Sequence, residues 1–347
     1  MTISSSMLME ESGTAVMRDT LSEQKVRERA GSILRPPGAM ARFDDLAAWV
    51  AGWQGSPEPA LHRPSIIVFA GEHGVVAEGV SAFGSEVNAE MMNAFRLGRA
   101  SVSAIGRVVG AQVFAVDVGV GQPTGNIRTE PALSQDRLVE SFDAGRSAVR
   151  ERESDFLVFG EMGIGNTTAA AALSAAILLN PGRRTFDNIA GFVGVGSGLD
   201  DDRYKHKVEV VVDAVERVGD LVDPIGLLAE LGGTELAAIC GAIFEARLKA
   251  TPVLLDGYIA TAPALVLHAI APDLVDHTRA GHRSAEPGHG SVLKELGHSP
   301  LLDLDMRLGE GSGAAAAIPL VSMACSLVTE VPTFDEWFSS DGASHDL

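Results

Sequence analysis

Glu310 stands between two glycines in Arg307-Leu308-Gly309-Glu310-Gly311-Ser312-Gly313, just ahead of an alanine-rich run. A carboxylate placed this way has close access to a ligand and little shielding from its neighbours. In a pocket of low polarity its pKa rises, which suits it to take a proton from a weakly basic ring nitrogen. The alternative is an ordinary helix-start glutamate. A second acid, Glu161, lies in Gly160-Glu161-Met162-Gly163-Ile164-Gly165-Asn166-Thr167-Thr168. The glycines there let a loop turn tightly and bring amide groups to a ligand. Asn166, Thr167 and Thr168 are N-cap and first-turn residue types, and unpaired amides at a helix start suit a phosphate. By local composition alone the stretch could equally be a strand-to-helix turn that binds nothing.

A second glycine loop, Gly194-Val195-Gly196-Ser197-Gly198, runs into Leu199-Asp200-Asp201-Asp202 with Lys205 and Lys207 beyond it. It could hold the other side of a phosphate, or it could be an acidic helix start that favours the macrodipole, with surface lysines. Neither loop has the Gly-Lys-Ser/Thr ending of a Walker motif, and Thr168 stands where a dinucleotide fingerprint needs its third glycine. In His282-Arg283-Ser284-Ala285-Glu286-Pro287-Gly288-His289 the histidines fit no zinc spacing, and no metal is expected. Arg283 and Ser284 suit an anionic group such as a carboxylate.

The elements that must position these residues show one repeated pattern. Ser65–Ala70, Gln112–Val116, Asp155–Phe159, Asn188–Val193 and Pro252–Leu255 are apolar runs of strand length. Each leads into a loop that contains glycine and then into a helical stretch. That alternation predicts an α/β fold with a mostly parallel sheet covered by helices on both faces. Ligands of such sheets sit at the carboxyl ends of the strands, so the glycine loops should share one rim. Residues 1–60 carry few strand signals. Ser22–Ala30 and Ala39–Trp53 read as helices, broken by Pro36-Pro37-Gly38 and followed by a linker over Gly52–Pro59. The tail from Thr329, with Asp335, Glu336 and Asp341, reads as a solvated acidic end.

Composition narrows the function. A net charge of −19 argues against nucleic acid or an anionic membrane as a partner. Any anionic small molecule must therefore be held by local devices. Aromatics at 5% and 38 glycines favour a glycine-rich α/β enzyme over a β sandwich. Cys240 and Cys325 sit in apolar, helix-like surroundings and read as small core residues. The first residues show no signal-peptide pattern, and the apolar run 314–328 reads as too short to span a bilayer, so a soluble, cytoplasmic protein is expected.

Taken in order, the blocks resemble the nicotinate-nucleotide–dimethylbenzimidazole phosphoribosyltransferase family of cobalamin nucleotide-loop assembly, over about residues 66–327. The blocks are Gly71-Glu72-His73-Gly74-Val75, Glu78-Gly79-Val80-Ser81-Ala82, residues 160–168, Gly198-Leu199-Asp200-Asp201, Leu255-Asp256-Gly257-Tyr258-Ile259, residues 282–289 and residues 307–314. The resemblance implies transfer of the 5-phosphoribosyl group of nicotinate mononucleotide to 5,6-dimethylbenzimidazole, giving α-ribazole 5′-phosphate and nicotinate. It places the general base on Glu310 and a second acidic site residue on Glu161. Gly163, Gly165, Asn166, Thr167 and Thr168, with Gly194, Gly196, Ser197, Gly198 and Lys207, match the phosphate and ribose side. Ser284, beside Arg283, matches the nicotinate side. Ser81, Phe83, Met162 and Leu308 match the wall for the incoming base, and Glu90 falls at a further position of that half.

The resemblance also implies a homodimer with a Rossmann-like domain over 61–324 and a small helical domain over 1–60, with 325–347 contributing. That small domain helps to close the partner's active site. No pyrophosphate leaves, so no cofactor is expected. The sequence departs from the family pattern at Glu72, Phe83-Gly84-Ser85, Glu90 and Leu97-Gly98-Arg99-Ala100-Ser101-Val102-Ser103. These positions belong to the base-recognition half, so transfer to adenine, another benzimidazole or a phenol stays open. A non-catalytic nucleotide-binding homologue is the further alternative.

Overall fold

The computed structural model describes residues 2–196 and 198–339. Five parallel strands form the sheet: β1 (Pro64–Ala70), β2 (Gln112–Asp117), β3 (Phe156–Met162), β4 (Val253–Leu255) and β5 (Thr278–Ala280), in the order β2-β1-β3-β4-β5. Helices α1 (Ser5–Ser12), α2 (Thr20–Ser32) and α3 (Ala41–Gln54) precede β1, α4 (Glu86–Arg96) and α5 (Ser101–Val109) join β1 to β2, and α6 (Gln135–Arg150) leads to β3. Between β3 and β4 lie α7 (Asn166–Leu178), α8 (Phe186–Ala190), α9 (Asp201–Arg217), α10 (Pro224–Leu231) and α11 (Thr234–Leu248). Helix α12 (Tyr258–Ile270) links β4 to β5, and α13 (Pro287–Glu295), α14 (Ser312–Thr329) and α15 (Phe334–Ser339) follow. A small parallel ladder joins β6 (His282–Arg283) to β7 (Leu302–Asp303).

Both faces of the sheet are covered, which is why its strands are apolar without alternation. Ile67, Phe69, Leu157, Phe159 and Leu255 face a core with α6, α7, α11 and α12. Ile66, Val68, Phe156, Val158 and Leu254 face the other core, filled by Trp49 and Trp53 of α3, Val102 of α5 and Ile318 and Val321 of α14. The chain ends meet there. Ile33 bridges Thr333, and the Arg29 guanidinium donates to the Val328 and Val331 carbonyls and to Glu336. Glu336 is thus ion-paired rather than merely solvated, and Asp341 lies outside the described residues.

Two expectations are corrected. Asn188–Val193 is not a strand: its first half belongs to α8 and the rest is irregular. Phe186, Ile189 and Ala190 follow helical spacing, and Ile189 is the buried residue of that helix. The apolar run at 314–328 belongs to an 18-residue helix, long and apolar enough on those two counts to cross a bilayer. In the fold it is a core helix, with Ala314, Ile318, Val321, Ala324 and Val328 buried. Strand β5 was not expected, because Thr278-Arg279-Ala280 carries a charge and little apolar signal.

β1 sends the chain one way to β2, and the next connection returns to β3 on its other side. The crevice at the carboxyl ends of the strands beside this reversal is where such sheets bind ligands.

Candidate active site

A cleft of about 300 Å³ opens at the carboxyl ends of β3, β4 and β5. Its most constrained residue is Glu310. Gly309, Glu310 and Gly311 all adopt positive φ, of 85°, 64° and 81°. For the glutamate this left-handed conformation costs about 1–2 kcal/mol, so the surroundings must impose it. They do so with named bonds. The Glu310 N–H donates to the Glu161 carbonyl at 3.0 Å, and Ser312 N–H to the Gly309 carbonyl at 3.0 Å. Asp256, just past β4, accepts from Gly311 N–H at 3.2 Å and from Ala314 N–H at 2.8 Å, holding the start of α14. Gly160 in β3 completes the fit, since a Cβ there would collide with the Glu310–Gly311 backbone.

The Glu310 carboxylate is 4% exposed and accepts from Val102 N–H at 3.2 Å, in the first turn of α5. Burial pushes its pKa above the ordinary value, the Val102 and Ser101 amides pull it back, and the Asp256 charge raises it. Segment 97–103, read above as part of base recognition, therefore also grips this acid.

Glu161 is the penultimate residue of β3, and Asn166 Nδ2 donates to its Oε2. Burial pushes it up to about 8, helped by the charges of Asp256 and Glu235 and opposed by the Asn166 bond. The two acids thus share one cleft in different environments, the arrangement that separates acid and base roles. A carboxyl raised this far favours its protonated form near neutral pH.

Helix α7 begins at the same rim. Its N-cap is Gly165, at φ 93°, rather than Asn166, and no side chain caps it. Lys207, wholly buried in α9, donates to Thr167 Oγ1 at 2.9 Å and to the Gly194 carbonyl at 3.0 Å. These two bonds use two of the three N–H groups of the ammonium, which lies behind the cleft wall rather than in its lining. Burial lowers Lys207 to about 8, and the Glu286 charge opposes that. Gly196, at φ 55°, passes so close that a Cβ would sit 3.3 Å from both Lys207 Nζ and Thr167 Oγ1. Asp200, by contrast, caps α9 through Arg203 N–H, and Lys205 pairs with Asp202 at the surface. The acidic helix start with a surface lysine is thus present, whereas Lys207 is buried rather than at the surface.

Of the expected residues, Glu310, Glu161, Gly163, Gly165, Asn166, Thr167, Gly196, Ser284, Ser81, Phe83, Met162 and Leu308 line the cleft. Thr168 and Gly194 are buried beneath it, Gly198 lies off it, and Ser197 lies outside the described residues. Glu90 is exposed on α4 and lines no part of the cleft. Arg283 also lies off it, 3.9 Å from Asp303 on the neighbouring strand. The turn at 71–74 just after β1 and the loop after β2 do not line the cleft, unlike Ser81 and Phe83 further along the connection from β1 to α4. Glu72 accepts from Gly121 N–H at 2.7 Å, and His73 pairs with buried Glu235 at 2.5 Å, so these loops lock onto each other and onto α11.

Sequence reasoning gave no role to Asp256, and it treated His282 and His289 only as a poor metal pattern. Thr261 Oγ1 donates to the Gly257 carbonyl at 2.7 Å, so its 3.2 Å partner, His289 Nε2, must carry the proton. The bare Nδ1 then accepts from Ser284 N–H at 3.0 Å, with Ser284 Oγ also at 3.0 Å. Burial, with His282 and Arg283 nearby, holds His289 at about 3, which keeps this tautomer neutral. His282 lies 3.4 Å from Asp256. Burial works against its protonation, yet the Asp256 bond and charge hold its pKa above the ordinary value. A larger cavity of about 710 Å³ lies among Arg18, Arg27, Arg42, Trp49 and Arg279, away from the rim where the glycine loops meet.

Comparison with known proteins shows the family of the chain. A family model described as phosphoribosyltransferase matches residues 17–337. The nicotinate-nucleotide–dimethylbenzimidazole phosphoribosyltransferase of Cereibacter sphaeroides is 44% identical over 93% of this chain and 94% of its own length. That of Ruegeria pomeroyi is 42% identical over 95% and 96%. The crystal structure of the Thermus thermophilus protein of that name superposes with a TM-score of 0.84 at 37% identity, over 93% of this chain and 99% of the other.

Proposed function

The chain belongs to this phosphoribosyltransferase family, and from that premise we propose that it transfers the 5-phosphoribosyl group of nicotinate mononucleotide to 5,6-dimethylbenzimidazole. The products are α-ribazole 5′-phosphate and nicotinate. One observation carries the reading: two buried carboxyls and a helix start backed by a buried lysine open into a single cleft.

We assign the phosphate to the first turn of α7 with Lys207 and Gly196. The ribose C1′ then faces Glu310. One acceptor nitrogen attacks C1′, and the C1′–pyridinium bond breaks with its electron pair going to the nicotinate nitrogen. Glu310 removes the proton from the acceptor ring. The leaving nitrogen departs neutral, so the enzyme's task is orientation and stabilisation of an oxocarbenium-like centre. Glu161 is the second acid, beside the ribose, and Ser284 faces nicotinate. Ser81, Phe83, Met162 and Leu308 receive the acceptor ring, where Phe83 and Leu308 are more than half exposed at the cleft wall. This open, apolar side, together with the departures over 83–103, supports a second reading in which another flat base is accepted.

The test is one reaction mixture of purified protein, nicotinate mononucleotide and competing bases, resolved for α-linked riboside phosphates. A dimethylbenzimidazole product in excess is expected. No product with any benzimidazole, purine or phenol would refute transfer. The homodimer and its cytoplasmic setting belong to the same proposal, as does a small domain from both chain ends. Light scattering on the eluting protein should give twice the 36.2 kDa chain mass.

A further inference from the structure

Glu286, at the N-cap of α13, is 9% exposed and lines the cleft. Its Oε2 is sealed from solvent and has no hydrogen-bond partner among the described residues. That oxygen lies against Gly194, where a Cβ would collide with it. The carboxylate is therefore fixed on one side by the loop that also supplies a carbonyl to Lys207. No described group donates to its other oxygen. A buried carboxylate without donors is costly, and nearly all such groups in folded proteins are satisfied. Oε2 stays sealed against Gly194, so Oε1 is the oxygen left for a ligand in the cleft, within the electrostatic reach of Lys207.

We infer that Glu286 is a substrate-binding residue that accepts hydrogen bonds from the ribose hydroxyls of the phosphoribosyl donor. The inference rests on the reading of the cleft given above. A ligand that brings hydroxyl donors one sugar ring away from a phosphate meets the geometry. Lys207 and the α7 helix start take the phosphate, and Glu286, next to the same loop, is placed for the cis-diol. A phosphate or a carboxylate brings no donor and would be repelled by it. Carboxylates serve ribose hydroxyls in this manner in nucleotide-binding folds.

The test is a set of six calorimetric titrations: wild type and E286Q, each with nicotinate mononucleotide and with its 2′-deoxy and 3′-deoxy analogues. A hydrogen bond to a charged group predicts that wild type loses about 10- to 100-fold in affinity on removal of the recognised hydroxyl. E286Q should lose less than about threefold for the same change, because its carboxylate partner is already gone. Equal penalties in the two proteins overturn the inference, as does a wild type indifferent to both deoxy analogues. Binding is read without turnover, so an absence of transfer in the base-competition assay refutes the transferase reading and leaves this cycle to be judged by itself. Failure of the wild type to bind nicotinate mononucleotide overturns both. Should E286Q not fold, E286D carries the same cycle, keeping the charge while withdrawing the oxygen by one methylene.

Discussion

Replacing Glu161 with glutamine should change how stability depends on pH more than it changes stability itself. Burial holds this carboxyl at about 8, against 4.5 for an unperturbed glutamate. Between those values the native state keeps a proton that the unfolded chain has released, so the free energy of unfolding falls as pH rises. The favourable contribution is complete below about pH 4.5 and lost above about pH 8. Each pH unit inside the window is worth up to about 1.4 kcal/mol, so wild type should lose roughly 2–3 kcal/mol between pH 5.5 and 7.5 from this group. Glutamine resembles the protonated acid and can still accept from Asn166 Nδ2. E161Q should therefore lack this slope, and the histidine contributions common to both proteins cancel in the difference. Lys207, lowered to about 8, acts in a separate window. It binds fewer protons folded than unfolded from about pH 8 to 10.5, so its penalty is relieved only above the range measured. The assay is urea unfolding of the ligand-free proteins at several pH values with the slope against urea held common. Parallel stability curves for wild type and E161Q would refute the burial argument for this site.

E310Q should retain wild-type stability, because its amide oxygen can still accept from Val102 N–H. Its kcat/KM for base transfer should fall by about 10²–10⁴, the worth of a general base, and a loss below tenfold would remove Glu310 from that role. G160A places a Cβ against the Glu310–Gly311 backbone. It should destabilise by about 1–3 kcal/mol and cost about 10² in rate through displacement of the base, read by thermal unfolding and initial rates. D256N removes the charge that raises both Glu161 and Glu310 and weakens the grip on Gly311 and Ala314. The acidic limb of its kcat/KM profile should move to lower pH, and a limb that stays put would show that Asp256 only holds the turn. K207M leaves Thr167 and the Gly194 carbonyl without their donor, so KM for the nucleotide should rise by at least about tenfold with a smaller change in kcat.

What could be read ahead of the structure follows from what each residue must satisfy locally. β1 and β3 are legible because burial on both faces demands short unbroken apolar runs, here rich in β-branched and aromatic residues, with Ile66 to Phe69 and Phe156 to Phe159 all buried. The glycines at 160, 309 and 311 are legible as a set because each meets a demand that side chains cannot: close backbone approach at the first and positive φ at the other two. Periodicity fails where the apolar run is short. Asn188–Val193 has strand length, yet Phe186, Ile189 and Ala190 turn its start into a helix, while β5 is paired on one side only and tolerates Arg279.

The site divides in the same way. Backbone-defined parts, the α7 start and the Glu310 turn, announce themselves through glycine and carboxylate spacing. Parts defined by a partner far along the chain do not. Asp256 is an ordinary acid after a strand until Gly311 and Ala314 arrive to be held. His289 looks like a metal ligand until Thr261 fixes its proton and turns its bare nitrogen to Ser284. The divergent 97–103 segment is the sharpest case. Its side chains invite a reading in terms of base choice, but its first helical amides bind Glu310, and amides are present whatever the side chains are. Substitutions there can thus alter acceptor preference while the grip on the proton acceptor persists, provided that α5 still begins at Ser101.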